Sequence, residues 1–308
     1  MTNIRVFVTL LVCVQSVFLL ADGWTAYVER RRSPAQLLRL SAFVLGMALL
    51  YFAVQLALSS AVPDFHTLLT TMARWTGGVQ DSEPAEVSWP AAIVLFLASY
   101  VLGTLFDYLV HRFVLHGRLF AIHENHHLPT VVSNLMPGIA ARPFVAIPNF
   151  LINAASAAVL FVIVRLTGAP ALVGAFEQLA LPLVLVFAFI ACASHSSFLR
   201  RYDVVDRVFR ALAIVTPREH LVHHAADIQG NYGNFTMVWD RLFGTYVPPA
   251  GVAARLGLPY DQDFLGSLTG GLVKVPRGAR AYFAVDAVCF IGLDTADPDR
   301  QNVRTSYD

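Results

Sequence analysis

The chain has 308 residues, of which 56% are AVILMFWYC and only 14% are charged. An average globular chain is roughly 25% charged, so this composition excludes a disordered protein, a nucleic-acid binder and an ordinary soluble enzyme. The 22 basic and 21 acidic residues leave a net charge of +1, which implies no polyanionic partner. Cys13, Cys192 and Cys289 form no CxxC pair, and the first two fall in apolar runs as small hydrophobes. The chain reads as an integral membrane protein.

The first apolar run covers residues 6–21, between Arg5 and Asp22. One reading is a signal peptide ending at Leu20-Ala21. The other, favoured by Arg30, Arg31, Arg32 and Arg39 just beyond, is a retained spanning or anchoring helix, because short loops rich in Lys and Arg stay in the cytoplasm. Four further runs are each long enough to cross a hydrocarbon core, which takes about 20 helical residues. They are 41–62, 91–110, 143–164 and 171–194.

Between them the charges alternate. Segment 63–90 carries Asp64, Asp81, Glu83 and Glu86 against Arg74 and suits the outer face. Segment 111–142 carries Arg112, Arg118 and Arg142 and suits the inner face. Residues 167–170, with Gly168 and Pro170, close a helical hairpin, and Arg200, Arg201, Arg207 and Arg210 return the chain to the cytoplasm. Trp24 and Trp89 stand at span ends, where aromatic rings prefer the interface. The expected fold is all-α and polytopic, with four to five transmembrane helices and a cytosolic helical cap. Its parts are an N-terminal region 1–90 of helices and outer loop, a catalytic domain 91–250 and a cytosolic tail 251–308.

Nine of the ten histidines fall in two windows on the expected cytoplasmic side. The first holds His111, His116, His123, His126 and His127, and the second holds His195, His220, His223 and His224. His66, in the outer loop, reads as a solvated polar residue. Both His123-Glu-Asn-His126-His127 and His220-Leu-Val-His223-His224 are H-x-x-H-H. Positions i, i+3 and i+4 share one helix face, so each box is expected to aim three imidazoles at one point, and the pair to cage two metal ions. Thr216-Pro217-Arg218-Glu219 reads as a capping box with proline at the first helical position.

His111 and His116 are five apart, about 140° on an α-helix, so a local distortion near Gly117 is expected to turn both rings inward. Asp107 is one turn before His111. It is expected to accept from the distal N–H of a metal-bound imidazole; the alternative is a helix-end carboxylate solvated at the interface. Isolated His195, at the end of a span, completes the candidate ligand set. Imidazole suits Zn, Cu, Fe and Ni. Structural zinc takes four ligands, usually with thiolates, whereas nine nitrogens suffice for two higher-coordinate ions with an open position, which points to iron and dioxygen. Phe235, Val238, Trp239, Leu242 and Phe243 form a helical apolar face that either lies on the membrane or packs beneath the histidines.

These residues resemble a known family. His111-Arg-Phe-Val-Leu-His116, the two H-x-x-H-H boxes, Asn231-Tyr-Gly233 and Trp239-Asp-Arg-Leu-Phe-Gly244-Thr are similar to the fatty acid hydroxylase/sterol desaturase superfamily over about residues 95–250. The resemblance implies an integral-membrane, non-haem di-iron oxygenase with two Fe ions, O2 as co-substrate and a lipid-like substrate. Asn231, which opens the N-Y-G segment, joins Asp107 as a candidate catalytic residue. The four residues between His111 and His116 match the fatty acid 2-hydroxylase and carotenoid hydroxylase branches. Leu199, however, stands where the former has a further histidine.

The expected reaction is hydroxylation of an unactivated C–H bond, with desaturation as the alternative within the superfamily. A metal transporter or sensor is disfavoured, since transporters need ionisable residues at the bilayer midplane and these spans are nearly bare. No C-x-x-C-H, iron–sulfur cysteine set or G-x-G-x-x-G is present. A separate ferredoxin-like or other reductase partner is therefore expected, docking on Arg200, Arg201, Arg207, Arg210 and Arg218. The alternative is that these arginines only mark the inner interface.

Overall fold

The computed structural model describes residues 2–28, 89–127, 171–225, 228–249, 253–255 and 288–290, with scattered positions between 34 and 57 and between 148 and 162. The expected loop 63–90 lies outside these residues but for its last two. Segment 128–142, the hairpin turn 167–170 and His66 lie outside them as well, as do most of the spans 41–62 and 143–164 and most of the tail.

Helix α1 (Thr2–Val28) runs further than the apolar count suggests. It continues through Asp22, which is wholly buried instead of marking a boundary. Asp22 Oδ1 accepts from Ser196 Oγ at 2.8 Å, Ser197 Oγ at 3.3 Å and the Phe198 N–H at 2.9 Å. Three donors on one oxygen offset much of the cost of burying this carboxylate inside an apolar helix, although Oδ2 is buried without a partner. Helix α2 (Trp89–Val110) leads into a π-helical segment, His111–Arg118. Among the described residues one helical stretch, Ala92–Arg118, is long and apolar enough to cross a membrane.

A short helix α3 (Phe120–His123) passes into a 3-10 turn over Glu124–His127. Helix α4 (Ala171–Ser194) packs against both α1 and α2. Phe18 of α1 meets Cys192 and Ala193 of α4 and Phe209 of α5 (Asp203–Ala211) in a buried cluster. Cys192 is thus the small hydrophobe expected, while Cys13 is exposed. Helix α6 (Pro217–His223) begins with the capping box read from the sequence. The Glu219 N–H donates to Thr216 Oγ1 at 3.1 Å, and the Thr216 N–H donates to Glu219 Oε2 at 3.2 Å.

Helix α7 (Val238–Leu242) is shorter than its apolar pattern. Its face divides: Trp239 Nε1 donates to Thr104 Oγ1 of α2 at 3.0 Å and Phe243 stacks on Tyr108, while Val238 and Leu242 point outward. Phe235, just before α7, packs with Phe187 of α4 at 4.6 Å between centroids. The described residues are therefore mostly helical but not entirely so. Strands β1 (Ala253–Arg255) and β2 (Val288–Phe290) pair antiparallel, with Ala254 opposite Cys289, a departure from the all-α expectation.

Candidate metal centre

The structure brings all nine histidines of the two windows together, in two groups rather than in two boxes. His111, His116, His123, His127 and His223 form one group, and His126, His195, His220 and His224 the other. The ring nitrogens within each group lie within 4.8 Å of one another. The outer members of each box, four residues apart, stay together: His123 with His127 and His220 with His224. The middle members cross over, so His126 joins the second box's group and His223 the first's.

This corrects the expectation that each box aims three rings at one point. On a helix, i+4 lies about 40° from i, whereas i+3 lies about 60° away on the opposite side. The middle ring therefore diverges from its box partners. The π-helical turn explains His111 and His116. Its i→i+5 repeat stacks residues five apart, and the two rings sit 4.9 Å apart between centroids.

The spacings bear on the coordination geometry that would fit. In the five-histidine group the Nε2–Nε2 separations are 3.0 Å for His111–His123, 3.1 Å for His116–His223 and 3.2 Å for His123–His127. In the four-histidine group they are 3.0 Å for His126–His195, 2.8 Å for His195–His220 and 3.2 Å for His220–His224. Two nitrogens each ~2.1 Å from a common ion stand about 3.0 Å apart at right angles and about 3.4 Å apart at the tetrahedral angle. The observed set fits the right-angled geometry of five- or six-coordinate ions. Four nitrogens would leave a position open on a five- or six-coordinate ion, and five would leave one open on a six-coordinate ion.

Several histidines are held from behind by backbone carbonyls. His111 Nδ1 donates to the Tyr232 carbonyl at 2.6 Å, His223 Nδ1 to the Gly230 carbonyl at 3.1 Å and His195 Nδ1 to the Ala191 carbonyl at 2.7 Å. A proton fixed on Nδ1 leaves the Nε2 lone pair free for a metal. The Nδ1 atoms of His123, His220 and His224 are buried without a hydrogen-bond partner. Burial lowers the pKa of His123, His127, His220 and His224 well below the usual imidazole value, and neighbouring imidazoles add to it. Burial also lowers His195 and His223 to about 4, against the opposing pull of their carbonyl bonds. These six rings are neutral at physiological pH, the form in which an imidazole can hold a metal.

The two candidate catalytic residues play other parts. Asp107 meets no imidazole; both its oxygens accept from Asn234 Nδ2, at 3.2 and 3.1 Å. It thereby ties the loop 230–234 to α2. Asn231, at φ 52°, spends its whole side chain on backbone: Nδ2 donates to the Glu219 and Val247 carbonyls at 2.9 and 2.8 Å, and Oδ1 accepts from the Val247 N–H at 2.7 Å. Its amide reaches no histidine because every polar atom is engaged in holding that loop against α6. Sequence reasoning missed Asp240, the middle of the W-D-R segment, which is wholly buried and accepts from the Tyr232 N–H, the Gly233 N–H and Thr245 Oγ1. The signal was an acidic residue beside an apolar helical face.

The arginine patch is partly consumed internally. Arg218 is buried and pairs with Asp203 at 2.7 Å and Asp206 at 2.9 Å. Arg210 and Arg241 both approach Glu219, at 3.1 and 3.5 Å. Arg207 is exposed.

Residues 96–245 match the fatty acid hydroxylase family. A 51-residue stretch is 45% identical to the alternative squalene epoxidase of Phaeodactylum tricornutum, covering 17% of this chain and 14% of that protein. The match thus spans a small part of that relative's length. No solved structure matches the chain.

Proposed function

We infer, from a chain whose residues 96–245 belong to the fatty acid hydroxylase/sterol desaturase superfamily, that it is a membrane-bound di-iron monooxygenase hydroxylating an unactivated C–H bond of a lipid-like substrate. The observation that carries this reading is the pair of histidine groups with right-angled Nε2 spacings, an all-nitrogen donor set suited to iron. Two irons held there would supply the activation of O2, and a fatty acyl, sterol or isoprenoid chain would be the substrate.

The protein's own contribution is positioning. The carbonyls of Tyr232, Gly230 and Ala191 fix three imidazoles as Nδ1–H tautomers. Burial keeps the ligands neutral and water away. The apolar helix Trp89–Val110 leads directly into the turn that carries His111 and His116, so a substrate dissolved in the membrane would have a short path to the centre. We further propose a multi-pass arrangement with the centre facing the cytoplasm, a catalytic domain over 91–250 flanked by regions 1–90 and 251–308, and electrons delivered by a separate carrier protein. The arginine cluster near the inner face supports this orientation.

Desaturation is a second reading that the donor set accommodates equally. Epoxidation of an apolar isoprenoid is a third, favoured by the relative named a squalene epoxidase. Lipid extracts from cells with and without the chain, compared by mass spectrometry, test the three. A product gaining one oxygen with unsaturation retained supports hydroxylation. One oxygen gained at the expense of a double bond supports epoxidation, and loss of two hydrogens supports desaturation. No altered lipid would overturn the enzymatic reading.

A further inference from the structure

We propose that Asp240 is a positioning residue for one half of the centre: through the single peptide between Tyr232 and Gly233, its carboxylate sets His111 in the five-histidine group. The inference rests on the metal-centre reading above. The Gly233 N–H and the Tyr232 carbonyl are opposite ends of one peptide. The first donates to Asp240 Oδ2 at 2.8 Å and the second accepts from His111 Nδ1 at 2.6 Å. Hydrogen bonds in series polarise one another, so a carboxylate on the N–H end makes the carbonyl a stronger acceptor. That in turn makes Nε2 of His111 a better donor to a metal, as carboxylate partners of ligating histidines do directly elsewhere.

The contact has no slack. Asp240 Oδ1 accepts from the Tyr232 N–H at 2.8 Å and from Thr245 Oγ1 at 2.7 Å, so three donors converge on one wholly buried carboxylate. A Cβ on Gly233 would run into the Thr236 carbonyl. The same loop supplies the Gly230 carbonyl to His223, a second member of the five-histidine group, and the Asn231 N–H donates to the Thr245 carbonyl at 3.0 Å. In the four-histidine group, by contrast, His195 is held by the Ala191 carbonyl at the end of α4. Asp240 therefore acts on one group and not the other.

The test is titration of metal-free, full-length protein in detergent with Co(II), followed by ligand-field absorption. The wild type should show two binding steps, and His220→Ala should remove the one belonging to the four-histidine group. Asp240→Asn turns an amide N–H2 toward one of three donors. It should weaken the other step by about 10–100-fold, the range for lost outer partners, and leave the His220-dependent step unchanged. Thr245→Val, which keeps both backbone donors, should shift the same step by a smaller factor. Both steps unchanged in Asp240→Asn, or both weakened alike, would overturn the proposal. If Asp240→Asn does not fold, a Thr245→Val protein with both steps intact overturns it. A wild-type chain that binds no Co(II) at all overturns the metal reading itself.

Discussion

His116 and His223 place their Nε2 atoms 3.1 Å apart across 107 residues of chain. His116 precedes the first box and His223 is the middle of the second, so the five-histidine group is closed only by a residue borrowed from the other box. His126 returns the exchange, meeting His195 at 3.0 Å. Neither box makes a complete site alone.

This crossing predicts the phenotypes of single substitutions. His223→Ala should weaken the same metal step as His116→Ala or His123→Ala, and His126→Ala the same step as His220→Ala. Each loss should be at least the ~10–100-fold that follows removal of an outer partner. Metal titration of the five variants checks the grouping. If His223→Ala instead tracked His220→Ala, the interlocked arrangement would be wrong.

Glu219 should be the most destabilising single substitution on the outer side of the centre. It is 1% exposed, closes the capping box of α6 and accepts from Tyr246 Oη at 2.8 Å. Its arginine partners are roughly half exposed, so they contribute little. Losing the cap costs about 1 kcal/mol, and leaving the Tyr246 hydroxyl without its acceptor adds ~1–2 kcal/mol. Glu219→Ala should therefore lower unfolding stability by about 2–3 kcal/mol in a detergent melt, with Glu219→Gln retaining part of it. An unshifted melting temperature would contradict this.

Asp22 joins α1 to the turn that follows α4, one residue from His195. Asp22→Ala strands Ser196 Oγ and the Phe198 N–H in a buried place, at a cost of about 1–3 kcal/mol. The expected result is a lower melting temperature together with weaker binding in the four-histidine group, which contains His195. Unchanged melting would show that α1 docks without it.

Acid should destabilise the metal-free protein through its histidines. His195 and His223 have folded pKa values near 4, below the ordinary value of 6.5. Between those values the unfolded chain binds protons that the folded chain does not, so stability is fully present above pH 6.5 and falls as pH drops toward 4. Metal on Nε2 blocks protonation in the folded state and displaces the window downward. Melting temperatures from pH 7 to 4.5, with and without Co(II), measure this; a flat profile for the metal-free protein would contradict it.

Much of the centre was legible in the sequence. Histidine is costly to gather in an apolar chain, so nine in two windows announced themselves, as did the Thr216–Glu219 capping box. The grouping was not legible, because helix geometry turns the i+3 ring away from its i and i+4 neighbours, but only the packing of the two boxes shows which group it joins. The distortion needed to bring His111 and His116 together could be foreseen, but not its form as a π-helical turn. Asp107 was expected to accept from an imidazole and Asn231 to be catalytic, but their observed partners are set by the loop 230–234, whose path only tertiary contacts fix. Asp22 read as a helix boundary because the sequence does not show the Ser196 and Phe198 donors that let it be buried.

The most direct test of the account is the iron content of purified, anaerobically reconstituted full-length protein, measured by elemental analysis with Mössbauer spectroscopy. Two histidine groups with open positions predict about two irons per chain in nitrogen-rich, five- or six-coordinate sites. A single ion per chain, or tetrahedral zinc bound in preference to iron, would contradict it.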